Sequence, residues 1–275
     1  VLFTGSYEVG LRIKQEVAKH PHKVCTIETG GKNAVLVLED ANLEMAVTAS
    51  VLSAFKTAGQ RCVTAGRLLV DNRVVDRFRD RFVATAKRVT VGDPMDENVF
   101  YGSMINQQGV EKGRRFNDMA RKEGFEILLD RNTEPPPTPD GYWLKPFVYT
   151  GLWRSDSVCL TEEAFSPHVA IVPVRGVEEA VAVYNDTKYG LSGSILTEDY
   201  RKAKYAEEHM QCGIFYWNLP CIGAGVRLPF GGVKQSGNLI PSAAGLIPVL
   251  THPKAVTYNL DTKIVMAQGL TTEIT

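Results

Sequence analysis

Apolar positions along the chain recur with two spacings, and together these predict an α/β fold. Short continuous apolar runs, such as residues 34–38 and 68–70, are typical of strands buried in a parallel sheet. Between such runs apolar residues recur every three or four positions, as at Leu43, Val47 and Val51, which predicts amphipathic helices. We therefore predict a doubly wound, mostly parallel sheet that is flanked by helices.

The same two spacings give approximate bounds for each element. Helices are predicted over residues 7–19, 42–56, 74–89, 107–123, 177–186 and 199–209. Strands are predicted over residues 1–3, 24–27, 34–38, 68–70, 169–174, 193–197, 213–217 and 255–260. The first strand is expected to be buried, and Ser6 is the predicted N-cap of the first helix.

Charge and cysteine usage narrow the class of protein. In the 275 residues, 31 Lys and Arg balance 31 Asp and Glu, so nothing favours nucleic acid or an acidic membrane as partner. No apolar run reaches the roughly 20 residues that a membrane span needs. Five unevenly spaced cysteines favour a reducing, cytoplasmic setting over a disulfide framework. Because metal-ligand spacings are absent from the sequence, we predict no metal site.

Two residues are candidates for chemistry. Cys62 lies between a predicted helix and a strand, in a glycine-containing turn that can present a nucleophile at a sheet edge. A lone cysteine is more often a small buried hydrophobe. Glu28 ends an apolar strand just before Gly30 and Gly31, which let another segment or a ligand approach the backbone. That carboxylate is either a solvated strand end or a base that activates water near the cysteine.

Five ordered motifs resemble the aldehyde dehydrogenase superfamily, and the resemblance runs from Val1 to about Leu260. Glu28 precedes Cys62 by 34 residues, as the base precedes the nucleophile in that family. The motifs are Phe3-Thr4-Gly5-Ser6, Glu28-Thr29-Gly30-Gly31-Lys32, Gly59-Gln60-Arg61-Cys62, Glu162-Glu163-Ala164-Phe165-Ser166-Pro167 and Pro229-Phe230-Gly231-Gly232.

The resemblance implies oxidation of a small-molecule aldehyde with NAD or NADP as cofactor. Cys62 would attack the aldehyde to give a thiohemiacetal, and its backbone N–H would form part of the oxyanion hole. Hydride transfer to the nicotinamide would leave a thioester, which water activated by Glu28 would hydrolyse. A homo-oligomer is also implied, since residues 7–19 and 255–260 resemble the interface elements of the family.

The resemblance also implies binding residues. Glu163 would bind the nicotinamide ribose, with Phe165 packed beside it. Gly5 and Ser6 would lie at the cofactor, where a glycine and a helix N-terminus suit phosphate and ribose. Asn218 would help to shape the substrate side of the pocket.

The branch of the family stays open. The form Glu-Thr-Gly-Gly-Lys at residues 28–32 resembles glutamate-semialdehyde (pyrroline-5-carboxylate) dehydrogenases. Residues 236–238 and 241–243 resemble succinylglutamate-semialdehyde dehydrogenases instead, and Val63 stands where the first branch has a serine. Both branches oxidise amino-acid-derived semialdehydes that carry carboxylates. The backbone N–H groups of Gly223 and Ala224, and the guanidinium of Arg227, could bind that carboxylate. Arg227 as a plain surface charge is an equal alternative.

The chain differs from the family in length, since family members are about twice as long. We expect residues 1–32 to be the tail of a cofactor-binding domain, 33–240 the catalytic domain, and 241–275 a C-terminal return and oligomerisation segment. The chain opens without methionine inside a predicted strand, so we expect an N-terminal half to be absent.

That half would supply an oxyanion-hole asparagine, and losing one such donor costs about 10²–10³ in rate. We therefore expect poor activity from the chain alone, unless the other half is supplied in trans. One alternative is a non-catalytic fragment that acts as a structural or interaction module, with at most residual thiol esterase activity. A cysteine hydrolase would need a histidine partner, and the five histidines lie outside the matching motifs.

Overall fold

The computed structural model describes residues 1–238 and 242–264. Its strands are β1 Leu2–Thr4, β2 Thr26–Glu28, β3 Asn33–Val37, β4 Ala65–Asp71, β5 Glu126–Asp130, β6 Phe147–Thr150, β7 His168–Val174, β8 Tyr189–Gly190, β9 Ser192–Leu196, β10 Ile214–Trp217, β11 Pro229–Phe230, β12 Val233–Lys234 and β13 Ser242–Ala243. Its helices are α1 Tyr7–Val17, α2 Leu43–Phe55, α3 Val75–Lys87, α4 Gln107–Lys122, α5 Val158–Thr161, α6 Gly176–Asn185, α7 Tyr200–His209 and α8 Ile247–Leu250.

A seven-stranded sheet forms the centre of the molecule, with strand order β10-β9-β3-β4-β7-β6-β5. Every neighbouring pair in it is parallel except β5 and β6, which run antiparallel. Because side chains alternate between the faces of a strand, β3 and β4 each supply both layers of the core. Val35 and Leu68 pack toward α2 and α3, whereas Leu36 and Leu69 pack toward α6 and α7. The predicted doubly wound, mostly parallel fold is confirmed.

Helix α2 shows how pattern and capping agree. The side chain of Asn42 accepts hydrogen bonds from two backbone N–H groups in the first turn, which would otherwise lack partners. The predicted register is confirmed, because Leu43, Val47 and Val51 are all buried. Helix α1 has its predicted cap as well, with the Val9 N–H 3.4 Å from Ser6 Oγ.

Two predictions about elements were wrong, and two strands of the central sheet were missed. Strand β1 is not buried, because it pairs only with β2 in a separate two-stranded sheet and Leu2 keeps 46% of its surface exposed. Residues 255–260 form no strand and are exposed. The edge strand β5 and its antiparallel neighbour β6 were missed, since each is short and flanks the proline-rich loop. Position 241 and residues 265–275 of the predicted C-terminal segment lie outside the described residues.

Candidate active site

Strand pairing brings the first predicted motif beside Glu28. Strands β1 and β2 run parallel, with Thr4 opposite Glu28, and the Gly5 N–H donates to the Glu28 carbonyl at 3.1 Å. The loop that starts helix α1 therefore begins next to the predicted base. This backbone pairing positions Gly5 and Ser6 close to Glu28.

Residues 235–238 hold strand β2 from its other side. The Thr29 N–H donates to the Ser236 carbonyl at 3.0 Å, and Gly237 forms an antiparallel bridge with Glu28. The amide of Asn238 bonds the Ile27 N–H at 3.0 Å and the Cys25 carbonyl at 2.9 Å. With backbone on both sides, the Glu28 residue is only 4% exposed.

A tight turn presents Cys62. Helix α2 ends at Phe55, and Thr57, Ala58 and Gly59 then take positive φ angles of 59°, 54° and 66°. This left-handed backbone costs about 1–2 kcal/mol for each residue other than glycine. A Cβ on Gly59 would lie 2.3 Å from the Ser166 carbonyl oxygen, so only glycine fits there. We call residues 60–64, which follow and lead into β4, the nucleophile turn.

The thiol of Cys62 donates a hydrogen bond to Glu28, with Sγ and Oε1 3.4 Å apart. Burial, and then the nearby Glu28 carboxylate, raise the pKa of the Cys62 thiol to about 12. Burial also raises the pKa of Glu28, against the opposing effect of the thiol hydrogen bond. The resting pair is therefore a neutral thiol beside a carboxylate of increased basicity.

Glycines 30 and 31 let two other segments approach the end of β2. The Gly31 N–H donates to Glu163 Oε1 at 2.9 Å. A Cβ on Gly30 would lie 2.3 Å from Glu163 Oε2, and one on Gly31 would lie 2.7 Å from the Cys62 carbonyl oxygen. Burial raises the pKa of Glu163, and the Gly31 N–H lowers it in part. The close approach expected at this glycine pair is therefore made by other segments of the chain.

A cleft of about 340 Å³ opens in front of these groups. Five of the predicted residues line it, from three distant parts of the sequence: Gly5, Ser6, Cys62, Glu163 and Phe165. A neighbouring cavity of about 280 Å³ shares Ser6 and Glu163 with the cleft. The arrangement therefore places the nucleophile and a half-buried carboxylate on the lining of one cleft of ligand size, while Glu28 contacts the nucleophile but is not among the lining residues.

Sequence reasoning missed two residues that the structure places here. Lys112, on α4, lines both cavities, and its charge lowers the pKa of Glu163 in part. No local motif marks it, because only the packing of α4 brings it to the cleft. Asn33 donates from its amide to the carbonyl of Cys62 at 2.7 Å. Its position directly after the Lys32 motif was the available signal.

The predicted substrate-side residues lie elsewhere. The Asn218 side chain accepts from the Thr197 N–H and donates to the Thr197 carbonyl, both at 3.1 Å. Gly223, Ala224 and Arg227 are exposed on residues 221–228, which we call the substrate loop. These four residues are not among those that line the 340 Å³ cleft, so their substrate role stays a prediction.

Two kinds of feature are absent from residues 1–238 and 242–264. They contain no group of three or more His, Cys, Asp or Glu side chains that could hold a metal ion. They also contain no helix with the length and apolar character that a membrane crossing requires.

Comparison with known protein families matches residues 1–254 to the aldehyde dehydrogenase family. The chain is 32% identical over 239 residues to alpha-ketoglutaric semialdehyde dehydrogenase of Bacillus subtilis, covering 86% of this chain and 49% of the relative. It is 33% identical over 261 residues to 2-aminomuconic semialdehyde dehydrogenase of Bos taurus, covering 94% and 53%. The chain thus spans about half the length of the curated relatives it matches.

Solved structures show the same architecture. A 1-pyrroline-5-carboxylate dehydrogenase from Thermus with bound NAD superposes with a TM-score of 0.81 at 30% identity, covering 88% of this chain and 47% of that one. A betaine aldehyde dehydrogenase from Staphylococcus aureus in complex with NAD⁺ gives 0.81 at 29% identity, covering 86% and 46%.

Proposed function

The chain belongs to the aldehyde dehydrogenase family, and we propose that it is the nucleophile-bearing part of an NAD(P)-dependent enzyme that oxidises a small-molecule aldehyde to a carboxylate. The single observation that carries the proposal is the Cys62–Glu28 pair, 3.4 Å apart, beside a cleft that Ser6 and Glu163 also line. Residues 1–32 would belong to the cofactor domain and 33–240 to the catalytic domain.

The residues around the cleft fit a dinucleotide. The Glu163 carboxylate can accept hydrogen bonds from ribose hydroxyls, and the ring of Phe165 is 38% exposed beside it. Lys112 and the N-terminus of α1 behind Ser6 suit phosphate groups. When bound, the nicotinamide supplies the hydride acceptor of the reaction. The two NAD-bound relatives support this assignment.

Glu28 would act as a base in two steps of the reaction. As the Cys62 sulfur attacks the aldehyde carbon, the thiol proton passes to the Glu28 carboxylate, whose raised pKa makes it a stronger base. After oxidation the carbon is held to sulfur as a thioester. Once Glu28 has released the first proton to solvent, it would take a proton from the water that attacks the thioester carbon. As the carbon–sulfur bond breaks, that proton passes to the Cys62 sulfur and restores the thiol, and the acid product leaves as a carboxylate and a free proton.

The substrate in this proposal is an amino-acid-derived semialdehyde that carries a carboxylate. Two of the similar proteins are semialdehyde dehydrogenases, and Arg227 is exposed to solvent, where its guanidinium would bind a carboxylate. Gly223, Ala224 and Asn218 would complete the substrate side.

The proposal also includes a homo-oligomer in a reducing, cytoplasmic setting, with the other half of the enzyme as an in-trans partner. Exposed apolar side chains near the C-terminus, such as Tyr258 at 80% and Leu260 at 96%, support a covered surface there.

Hydrolysis of p-nitrophenyl acetate tests the proposal, since an activated ester needs the nucleophile but no dinucleotide. We expect hydrolysis by the chain and none above buffer by Cys62→Ala. Glu28→Gln should hydrolyse the ester about 10²-fold more slowly, because both the attack by the Cys62 thiol and the removal of the acyl group need the base. Cys212→Ala, which removes another half-buried free thiol, is the matched control.

Two outcomes would contradict the proposal. The first is a folded chain that hydrolyses no ester, and the second is a Cys62→Ala variant that remains as active as the parent. Either would leave a non-catalytic structural or interaction module as the description of this chain.

A further inference from the structure

We infer that Asn33 is a positioning residue that holds the nucleophile turn at its working distance from Glu28, an inference that rests on the proposed function. Asn33 is the first residue of β3 and only 1% exposed. It does not touch the cleft, so it acts through the backbone that carries Cys62.

The Asn33 amide joins three segments of the chain. Its Nδ2 donates to the carbonyl oxygens of Cys62, at 2.7 Å, and Thr64, at 2.9 Å. Its Oδ1 accepts from the backbone N–H of Ser192, at the start of β9, at 2.9 Å. Both amide protons and one oxygen lone pair are therefore used, and the nucleophile turn is tied to β3 and β9 by one side chain.

Strand pairing explains why a side chain is needed at this position. The register of β3 against β4 shifts between Asn33, which faces Ala65, and Ala34, which faces Arg67. The regular ladder therefore breaks where the chain leaves the nucleophile turn. The Asn33 amide bonds backbone on the turn side of this break. On the other side, Gly31 leaves just enough room for the Cys62 carbonyl, since a Cβ there would lie 2.7 Å from it.

The consequence concerns the state of the thiol. The 3.4 Å separation of Cys62 Sγ from Glu28 Oε1 exists only while the turn stays against β3. A turn released by loss of the amide would move the thiol away from Glu28 and toward water. The thiol would then ionise at lower pH and alkylate faster, while ester hydrolysis that needs Glu28 would slow.

The test compares Asn33→Ser and Asn33→Ala with the parent chain. Serine keeps one short donor and alanine keeps none, so the effects should grow from serine to alanine. Asn185→Ala is the matched control, because the Asn185 amide also bridges two backbone groups, His209 O and Gln211 N, both at 2.8 Å. Each protein is assayed for p-nitrophenyl acetate hydrolysis and for iodoacetamide labelling of each cysteine as a function of pH.

For Asn33→Ala we expect kcat for the ester to fall about 10²-fold, since a displacement of about 1 Å can have that effect. KM should change little. Cys62 labelling should become faster, whereas kcat falls. The pH profile of the labelling should move to lower pH. Asn33→Ser should show the same two shifts at smaller size, and Asn185→Ala neither. The buried Cys159, whose thiol bonds the Phe116 carbonyl outside the nucleophile turn, should stay unlabelled in every variant and so report the fold.

Three results would overturn the inference. One is a folded Asn33→Ser whose kcat and labelling profile both equal those of the parent. Another is labelling of Cys159 in Asn33→Ser, which would show that Asn33 holds the whole fold. A third is a kcat that falls with no change in the labelling profile. An inactive parent chain would instead contradict the proposed function, and the labelling profile would still decide the role of Asn33.

Discussion

The residues around Cys62 are packed against one another, whereas the residues of the substrate loop that are predicted to bind substrate are exposed. Glu28, Glu163 and Cys62 meet because glycines allow backbone and carboxylate to come within van der Waals contact. Gly223 and Gly225, in the substrate loop, have no atom of the described residues, chain neighbours aside, within 4 Å of where a Cβ would be. Packing therefore constrains the first region closely and leaves open space at these two positions of the second. The sequence motifs therefore locate best the residues that close packing holds in place.

Among the substitutions that test this difference in packing, Gly59→Ala should have the largest effect. We expect a loss of about 3 kcal/mol in the free energy of unfolding, because a left-handed alanine costs about 1–2 kcal/mol and the clash with the Ser166 carbonyl adds about 1–3 kcal/mol. Denaturant unfolding measures it.

Two glycines separate those contributions. Gly124→Ala has φ +80° but open space, so it should show the backbone cost alone. Gly225→Ala, in the substrate loop, should show neither. Equal losses for Gly59→Ala and Gly225→Ala would mean that the two regions are not packed differently.

The next largest effect is expected in the core behind the Cys62 side of the cleft. A buried histidine there should make the free energy of unfolding depend on pH. His168 is buried, with Nδ1 2.9 Å from Asn117 Oδ1 and its ring stacked on Phe147. Burial, and then the charge of Lys32, hold the pKa of His168 well below its usual 6.5. Below about pH 6.5 the unfolded chain binds a proton that the folded chain does not. Stability should therefore be full above that pH and fall by up to about 1.4 kcal/mol per pH unit below it.

Urea unfolding between about pH 7 and pH 5 measures this slope. His168→Phe keeps an aromatic ring in the stack but cannot titrate. Its free energy of unfolding should therefore change less with pH over this range, by up to about 1.4 kcal/mol per pH unit, which corresponds to one proton. The variant loses the Asn117 hydrogen bond at every pH, which shifts the curve without tilting it. Parallel curves for the two proteins would show that His168 is not held neutral.

The smallest effect is expected in the substrate loop. Arg227→Ala should change hydrolysis of neutral p-nitrophenyl acetate by less than about twofold, because Arg227 is exposed and does not line the cleft. For an ester with a free carboxylate, KM should rise about threefold, the size of an exposed ion pair. A kinetic comparison of the two esters measures this. An unchanged KM for the anionic ester would make Arg227 a plain surface charge.

Sequence patterns located the elements that have strong local signals. Helix α2 was located almost to the residue, since Asn42 caps it and one apolar face is buried on the sheet. Helix α1 also has its predicted cap, a single hydrogen bond of 3.4 Å to Ser6, yet Gly10 is its only buried residue. Capping and spacing act within a few residues, whereas burial depends on distant parts of the fold. The same reason explains why β1 was wrongly predicted to be buried.

The candidate site divides in the same way. Glu28, Cys62 and Glu163 belong to motifs, and the structure brings them together. Lys112 reaches the cleft only because α4 packs beside it, and periodicity within one helix cannot show that. Asn218 was predicted from the resemblance alone, and its amide is occupied by the backbone of Thr197.

The hydrogen bond from Cys62 to Glu28 has a further consequence for chemical damage. Peroxides attack the thiolate form of cysteine and convert it stepwise to sulfenic, sulfinic and sulfonic acids, the last two steps being largely irreversible. A thiol whose pKa is raised to about 12 contains very little thiolate at neutral pH. Burial of the thiol, together with its contact to Glu28, therefore also keeps the resting sulfur resistant to oxidants until a substrate arrives.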